Sequence, residues 1–154
     1  MHYSRRGAIG RLGAALTALL GTTTTSAAAT LAQEATPDIS MGLPLDFKVV
    51  LHAAQEQNWP YVLSNLTNLA REWPQARVRV VIDGSAVYSL QGQNDFTTKL
   101  GQVAAPGVEF QVCRNALHDH AIDPATIPSY IKVVPGGVPA LVAAQVEGFA
   151  YVKP

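Results

Sequence analysis

The chain reads as an α/β protein with a mostly parallel sheet of about five strands and helices on both faces. Three observations predict this fold class. Short valine-rich runs of strand length recur along residues 46–154. Segments with apolar residues at helical spacing separate them, and proline, glycine or asparagine marks each change of period. Strands alternating with helices favour a parallel sheet, because each crossover lays a helix on one face of it.

The elements follow in order. Residues 46–53 (DFKVVLHA) form a nearly continuous apolar run, the pattern of a strand covered on both sides. Asn58 and Pro60 then open a helix in which Val62, Leu63, Leu66, Leu69, Ala70 and Trp73 recur at helical spacing, and Pro74 stops it. Residues 76–83 (ARVRVVID) are β-branched and close at Gly84, giving a second strand. A short segment covers 85–90, and Asn94 caps a helix running to about Ala104. Pro106 and Gly107 turn the chain into a third strand, 108–112, which delivers Cys113 at its carboxyl end. A short helix over 115–121, a strand over 130–134, a helix over 139–147 and a last strand over 149–152 complete the pattern.

The amino terminus has a different character. Arg5, Arg6 and Arg11 precede a weakly apolar stretch from Leu12 to Leu20 and small residues up to Ala32, the order of a secretory signal peptide over residues 1–32. Adjacent arginines after Ser4 match the twin-arginine motif, although Ala8 and Gly10 depart from its pattern, so the general secretory route stays open. Cleavage is expected after Ala29 or after Ala32, with residues 33–45 a linker holding Pro37, Gly42 and Pro44. The segment is too short for a span, which needs roughly 20 consecutive apolar residues, so no stable membrane anchor is expected after cleavage. The expected location is the periplasm or otherwise outside the cytoplasm.

Composition narrows the partners. With 48% hydrophobic and 14% charged residues the chain can bury a core. Removing residues 1–32 leaves eight basic residues against eleven acidic ones, and no clustered basic surface of the kind a nucleic-acid groove requires. Nucleic acid is therefore excluded as a partner. Cys113 is the single cysteine, so no intramolecular disulfide can form.

In parallel sheets, chemistry gathers beyond the carboxyl ends of the strands. That edge should hold His52, Asp83, Gly84 and Cys113. A thiol just before a helix meets backbone N–H donors and the positive end of the helix dipole, which favour the thiolate; the competing reading is a buried cysteine acting as a small hydrophobe. His52 could bind a substrate, orient the thiol, or bond a backbone carbonyl in the core. Gly84 permits a positive φ or the close approach of a ligand, and a structural turn is the simpler reason for it. His118 and His120 are metal-ligand types, but on a helix they point to different faces, as a solvated pair would. The turn at Pro135, Gly136 and Gly137 lacks the Gly/Lys/Ser-Thr pattern of a phosphate loop, and no cofactor is expected.

Four segments carry a resemblance together: KVVLHAA (48–54), VVIDGSAVYSL (80–90), GVEFQVCRNAL (107–117) and VVPGGVPALVAAQVEGFAYVKP (133–154). In that order they resemble the DsrE/DsrF-like family of sulfur-relay-type small α/β proteins, as an exported branch of it. The resemblance implies a flavodoxin-like three-layer fold and assembly into homotrimers or homohexamers. It also implies that Cys113, matching the family's cysteine after the third strand, carries sulfane sulfur as a persulfide between a donor and an acceptor protein. His52, Gly84 and Asn115 are the accompanying binding candidates. The alternative is a non-catalytic oligomeric binding module for a small ligand or metal, with Cys113 structural.

Overall fold

A computed structural model of the protein describes residues 42, 46–104 and 107–154. The signal peptide expected over 1–32, and most of the linker expected over 33–45, lie outside the described residues.

Five strands, β1 (Lys48–Ala53), β2 (Arg77–Ile82), β3 (Val108–Cys113), β4 (Ile131–Val134) and β5 (Ala150–Val152), form one sheet in the order β4-β3-β2-β1-β5. Every neighbouring pair is parallel. Four helices connect them: α1 (Trp59–Glu72), α2 (Asp95–Val103), α3 (Arg114–Asp119) and α4 (Gly137–Val146), with 3₁₀ turns at Glu56–Asn58, Gly84–Leu90 and Pro124–Thr126. The expected α/β class is thus observed, and the sheet is wholly parallel.

The connections explain how the faces are covered. From β1 to β4 the chain steps across the sheet in one direction, so right-handed crossovers place α1, α2 and α3 on the same face. The return from β4 to β5 runs the opposite way and places α4 on the other face. The first face is the larger core: Val49, Leu51, Val80, Ile82, Phe110 and Val112 meet Val62 and Leu66 of α1, Leu100 of α2 and Leu117 of α3. The second is smaller, with Val50 and Val81 meeting Leu141 and Ala144 of α4 and Phe149. Because, among the described residues, α4 alone covers that face, polar side chains can occupy it at Arg79, Glu109 and Gln111, one strand alternation away from the apolar rows.

Local signals set the helix ends. Pro60 lies in the first turn of α1, where its missing N–H costs nothing, and Pro74 follows Trp73, whose N–H bonds Leu69 O at 2.8 Å. Asn94 caps α2 through a reciprocal pair: Thr97 N–H donates to its side chain at 2.8 Å, and its own N–H donates to Thr97 Oγ1 at 2.9 Å. Trp59 is buried and donates its indole N–H to Ala86 O at 3.1 Å, tying α1 to the turn after β2.

Candidate functional site

Since the strands run parallel, their carboxyl ends meet along one edge. Cys113 ends β3 and caps α3, its Sγ accepting from Ala116 N–H at 3.4 Å. The residue is only 6% exposed and packs with Ala116 and Leu117 at the rim of the larger core. Its register partner is Val134 at the end of β4. Val134 also lines a cleft of about 270 Å³ with Arg79, Gln111, Pro135, Gly136 and Pro139 among its walls. Gln111 lies two residues before Cys113 on β3, but the cleft lies on the α4 side of the sheet, whereas Cys113 packs with the larger core on the other side. Asn115, exposed in the first turn of α3, brings Nδ2 to 3.9 Å from where a Cβ on Gly136 would stand. The start of α3 and the turn into α4 therefore adjoin.

His52 neither bonds a backbone carbonyl nor, among the described residues, hydrogen-bonds Cys113. Its Nε2 lies 2.9 Å from Asp83 Oδ1, and its Nδ1 lies 2.8 Å from the Tyr151 hydroxyl. Asp83 follows β2 directly, and its carboxylate fits under α4 because Gly137 has no side chain: a Cβ there would lie 2.5 Å from Asp83 Oδ2. Gly84 has φ +50°, and a Cβ on it would collide with the backbone oxygen of Ala54. The close approach at Gly84 is therefore to the protein's own backbone, which is the structural reading of that glycine.

The part of the second face beside α4 carries a charge cluster. Arg79, buried at the sheet centre over the ring of Phe149 at 4.5 Å, donates from Nε to Glu109 at 2.9 Å and from Nη1 and Nη2 to Glu147 at 3.3 and 3.0 Å. Burial opposes the guanidinium charge, but the hydrogen bonds to Glu147 and Glu109 outweigh it and raise the pKa. Burial likewise opposes ionisation of Glu109, yet the hydrogen bonds from Gln111 and Arg79 hold its carboxyl below the usual range. The hydrogen bond from Arg79 does the same for Glu147.

A carboxylate held low in the folded state stabilises it fully above the unfolded pKa and loses that contribution as pH falls through the folded value. Both glutamates have an ordinary value of 4.5, so the loss begins below about that pH. The urea midpoint of the wild type should fall more steeply below pH 4.5 than that of Arg79→Met. Equal slopes would mean that the cluster adds nothing to the acid sensitivity.

His118 is exposed beside Asp119 at 3.5 Å, whereas the His120 ring packs against Tyr88, tilted by 53° with centroids 4.6 Å apart. The two rings have different partners: His118 lies on α3, whereas His120 is the residue that ends it. Among the described residues, no three His, Cys, Asp or Glu side chains are grouped to hold a metal ion, and no helix is long and apolar enough to cross a membrane.

The sequence profile of the DsrE/DsrF-like family matches residues 20–154. The chain belongs to that family. Among solved structures, the DsrE/DsrF-like domain is similar to the protein of unknown function MTH1491 from Methanobacterium thermoautotrophicum: 29% identity, 71% of this chain and 100% of that one covered, TM-score 0.65. The conserved protein of unknown function BT1422 from Bacteroides thetaiotaomicron shares the fold at 13% identity, covering 70% of this chain and 94% of its own, with TM-score 0.56. The YchN protein of E. coli does so at 14% identity, 71% and 99% coverage, and TM-score 0.56. No curated protein matches the chain.

Of the residues singled out from the DsrE/DsrF-like sequence, Cys113 and Asn115 lie together at the β3–α3 turn, while His52 stands two strands away with Asp83. Tyr151 was not foreseen as a site residue. Its contact with His52 spans 99 positions and exists because β5 returns to pair with β1, with Tyr151 opposite Val50.

Proposed function

We propose that this protein is an exported sulfur carrier of the DsrE/DsrF type, which accepts sulfane sulfur on Cys113 and passes it on. The observation that carries this reading is the position of Cys113: it ends β3 at the carboxyl edge of the parallel sheet, and the backbone N–H of Ala116 meets its sulfur. In the first step the Cys113 thiolate attacks the outer sulfur of a hydropersulfide or polysulfide donor. The donor's S–S bond breaks and its inner thiolate leaves with the electron pair. In the second step an acceptor thiolate attacks the outer sulfur of the Cys113 persulfide, and the Cys113 thiolate leaves. No net oxidation occurs, so one cysteine suffices. The donor and the acceptor are thiol-bearing partners. Export through the segment 1–32 places this chemistry outside the cytoplasm.

The working unit is a homotrimer or homohexamer. The support is α4, which is apolar almost all round: Gly137, Leu141 and Ala144 face the sheet, while Val138, Val142 and Val146 are 68%, 53% and 84% exposed on its outer side. A second copy of the chain is the occupant that this stripe suits.

Intact mass of the protein recovered from the periplasm tests both parts of the reading. The mature chain should begin between residues 30 and 35. After reduction and exposure to polysulfide it should gain about one sulfur atom, which dithiothreitol removes. Cys113→Ser should keep its fold and lose the adduct. The burial of Cys113 favours a second reading, an oligomeric binding module with a structural cysteine. A thiol that resists both polysulfide and a small alkylating reagent until the protein is denatured would sink the carrier in favour of that module.

A further inference from the structure

We propose that Tyr151, His52 and Asp83 form a base-activated hydroxyl, a reactive site separate from Cys113, which takes a small ligand bearing an electrophilic acyl- or sulfonyl-type centre. The three side chains come from β5, the end of β1 and the residue after β2, and they make an unbroken hydrogen-bond chain of 2.8 and 2.9 Å. A carboxylate can only accept, so the hydrogen on His52 sits on Nε2 and points at Asp83. That leaves Nδ1 as the acceptor for the Tyr151 O–H. A nucleophile on a base, and the base on an orienting carboxylate, is the arrangement that activates hydroxyl groups in covalent catalysis.

Two features go beyond a tether for the edge strand. A single bond from Tyr151 to His52 would suffice to pin β5, yet the second ring nitrogen is fixed as well, by a carboxylate given room at the start of the ten-residue helix α4 through Gly137. Negative charge suits that end of a helix. Exposure also falls inward: Tyr151 is 42% exposed, whereas the His52 and Asp83 side chains are 14% and 18% exposed. The phenol faces solvent and its base does not.

In the reaction, the Tyr151 oxygen forms a bond to the electrophilic centre and the leaving group departs with its electron pair. The phenolic proton moves to His52 Nδ1, and Asp83 balances the imidazolium. Benzenesulfonyl fluoride is a probe of this step: an O–S bond forms, the S–F bond breaks and fluoride leaves.

Peptide mass spectrometry after limited exposure of the full mature protein at neutral pH reads the modification rate of each tyrosine. Tyr61 is the internal reference, since at 64% it is the more exposed phenol. Tyr151 should react at least about tenfold faster than Tyr61, a modest share of what a positioned general base supplies. His52→Gln should bring it down to the Tyr61 rate with the circular dichroism spectrum unchanged, Asp83→Asn should slow it, and Cys113→Ser should leave it as in the wild type. A Tyr151 rate at or below that of Tyr61 overturns the proposal, as does a fast Tyr151 in folded His52→Gln. If His52→Gln does not fold, the wild-type ratio decides alone.

Discussion

Replacing Gly84 with alanine should destabilise the domain by about 3 kcal/mol, from two causes that add at this position. The first is conformational. At φ +50° an L residue with a Cβ costs about 1 kcal/mol or more. The second is steric, since the new Cβ would overlap the backbone oxygen of Ala54, which no rotamer change can move. Room could be made only by separating the ends of β1 and β2, where Asp83 N–H bonds Ala53 O at 3.0 Å. Overpacking of this kind costs about 1–3 kcal/mol. A loss of about 3 kcal/mol in a domain of this size should lower Tm by 10 °C or more. Gly92→Ala is the matched control. Gly92 has φ +66°, but its Cβ would meet no atom of the described residues within 4 Å, so only the conformational cost of about 1 kcal/mol applies. Equal losses in the two variants would show that the contact with Ala54 O carries no cost. Because His52 and Asp83 leave those same strand ends, Gly84→Ala should also loosen their bond.

Much of the fold was legible because its signals are local. The valine-rich run of β2, the period of α1 between Pro60 and Pro74, and the cap at Asn94 each state a local preference that packing then obeys. Observed boundaries fall within about two residues of the expected ones for most elements, as fraying ends allow. The 3₁₀ turn Pro124–Thr126 was not foreseen, since three residues carry no period. The carboxyl edge was legible too, because a parallel sheet must bring the ends of its strands together, and Cys113 stands there by simple count. Strand order was not. Nothing in residues 149–152 states that β5 lies beside β1 rather than β4, so the contact of Tyr151 with His52 had no sequence signal. The cluster of Arg79, Glu109 and Glu147 was hidden for a related reason. An arginine within a valine strand reads as an outward residue until the sheet face it shares with Glu109 and Glu147 becomes visible.

The outer face of α4 gives the largest change expected from one substitution. Val142→Glu, or Val146→Glu, should turn the assembled protein into single chains without unfolding them. Helices in water rarely carry valine at three successive outward turns unless another surface covers them. Burying each valine contributes about 1.5 kcal/mol per copy. A glutamate in its place forfeits that and adds the cost of desolvating a charge without a partner, several kcal/mol in an apolar contact. A combined loss of about 4 kcal/mol raises the dissociation constant roughly a thousandfold. Both positions lie on the side of α4 away from Leu141 and Ala144, so the core beneath should be undisturbed and the separated chain should keep the far-UV circular dichroism spectrum of the wild type. Light scattering at micromolar concentration reads the result directly: several chain masses for the wild type, one for the glutamate variants. A wild type that scatters as a single chain would remove the assembly reading altogether. Variants that keep the wild-type mass would place the contact on another face of the molecule.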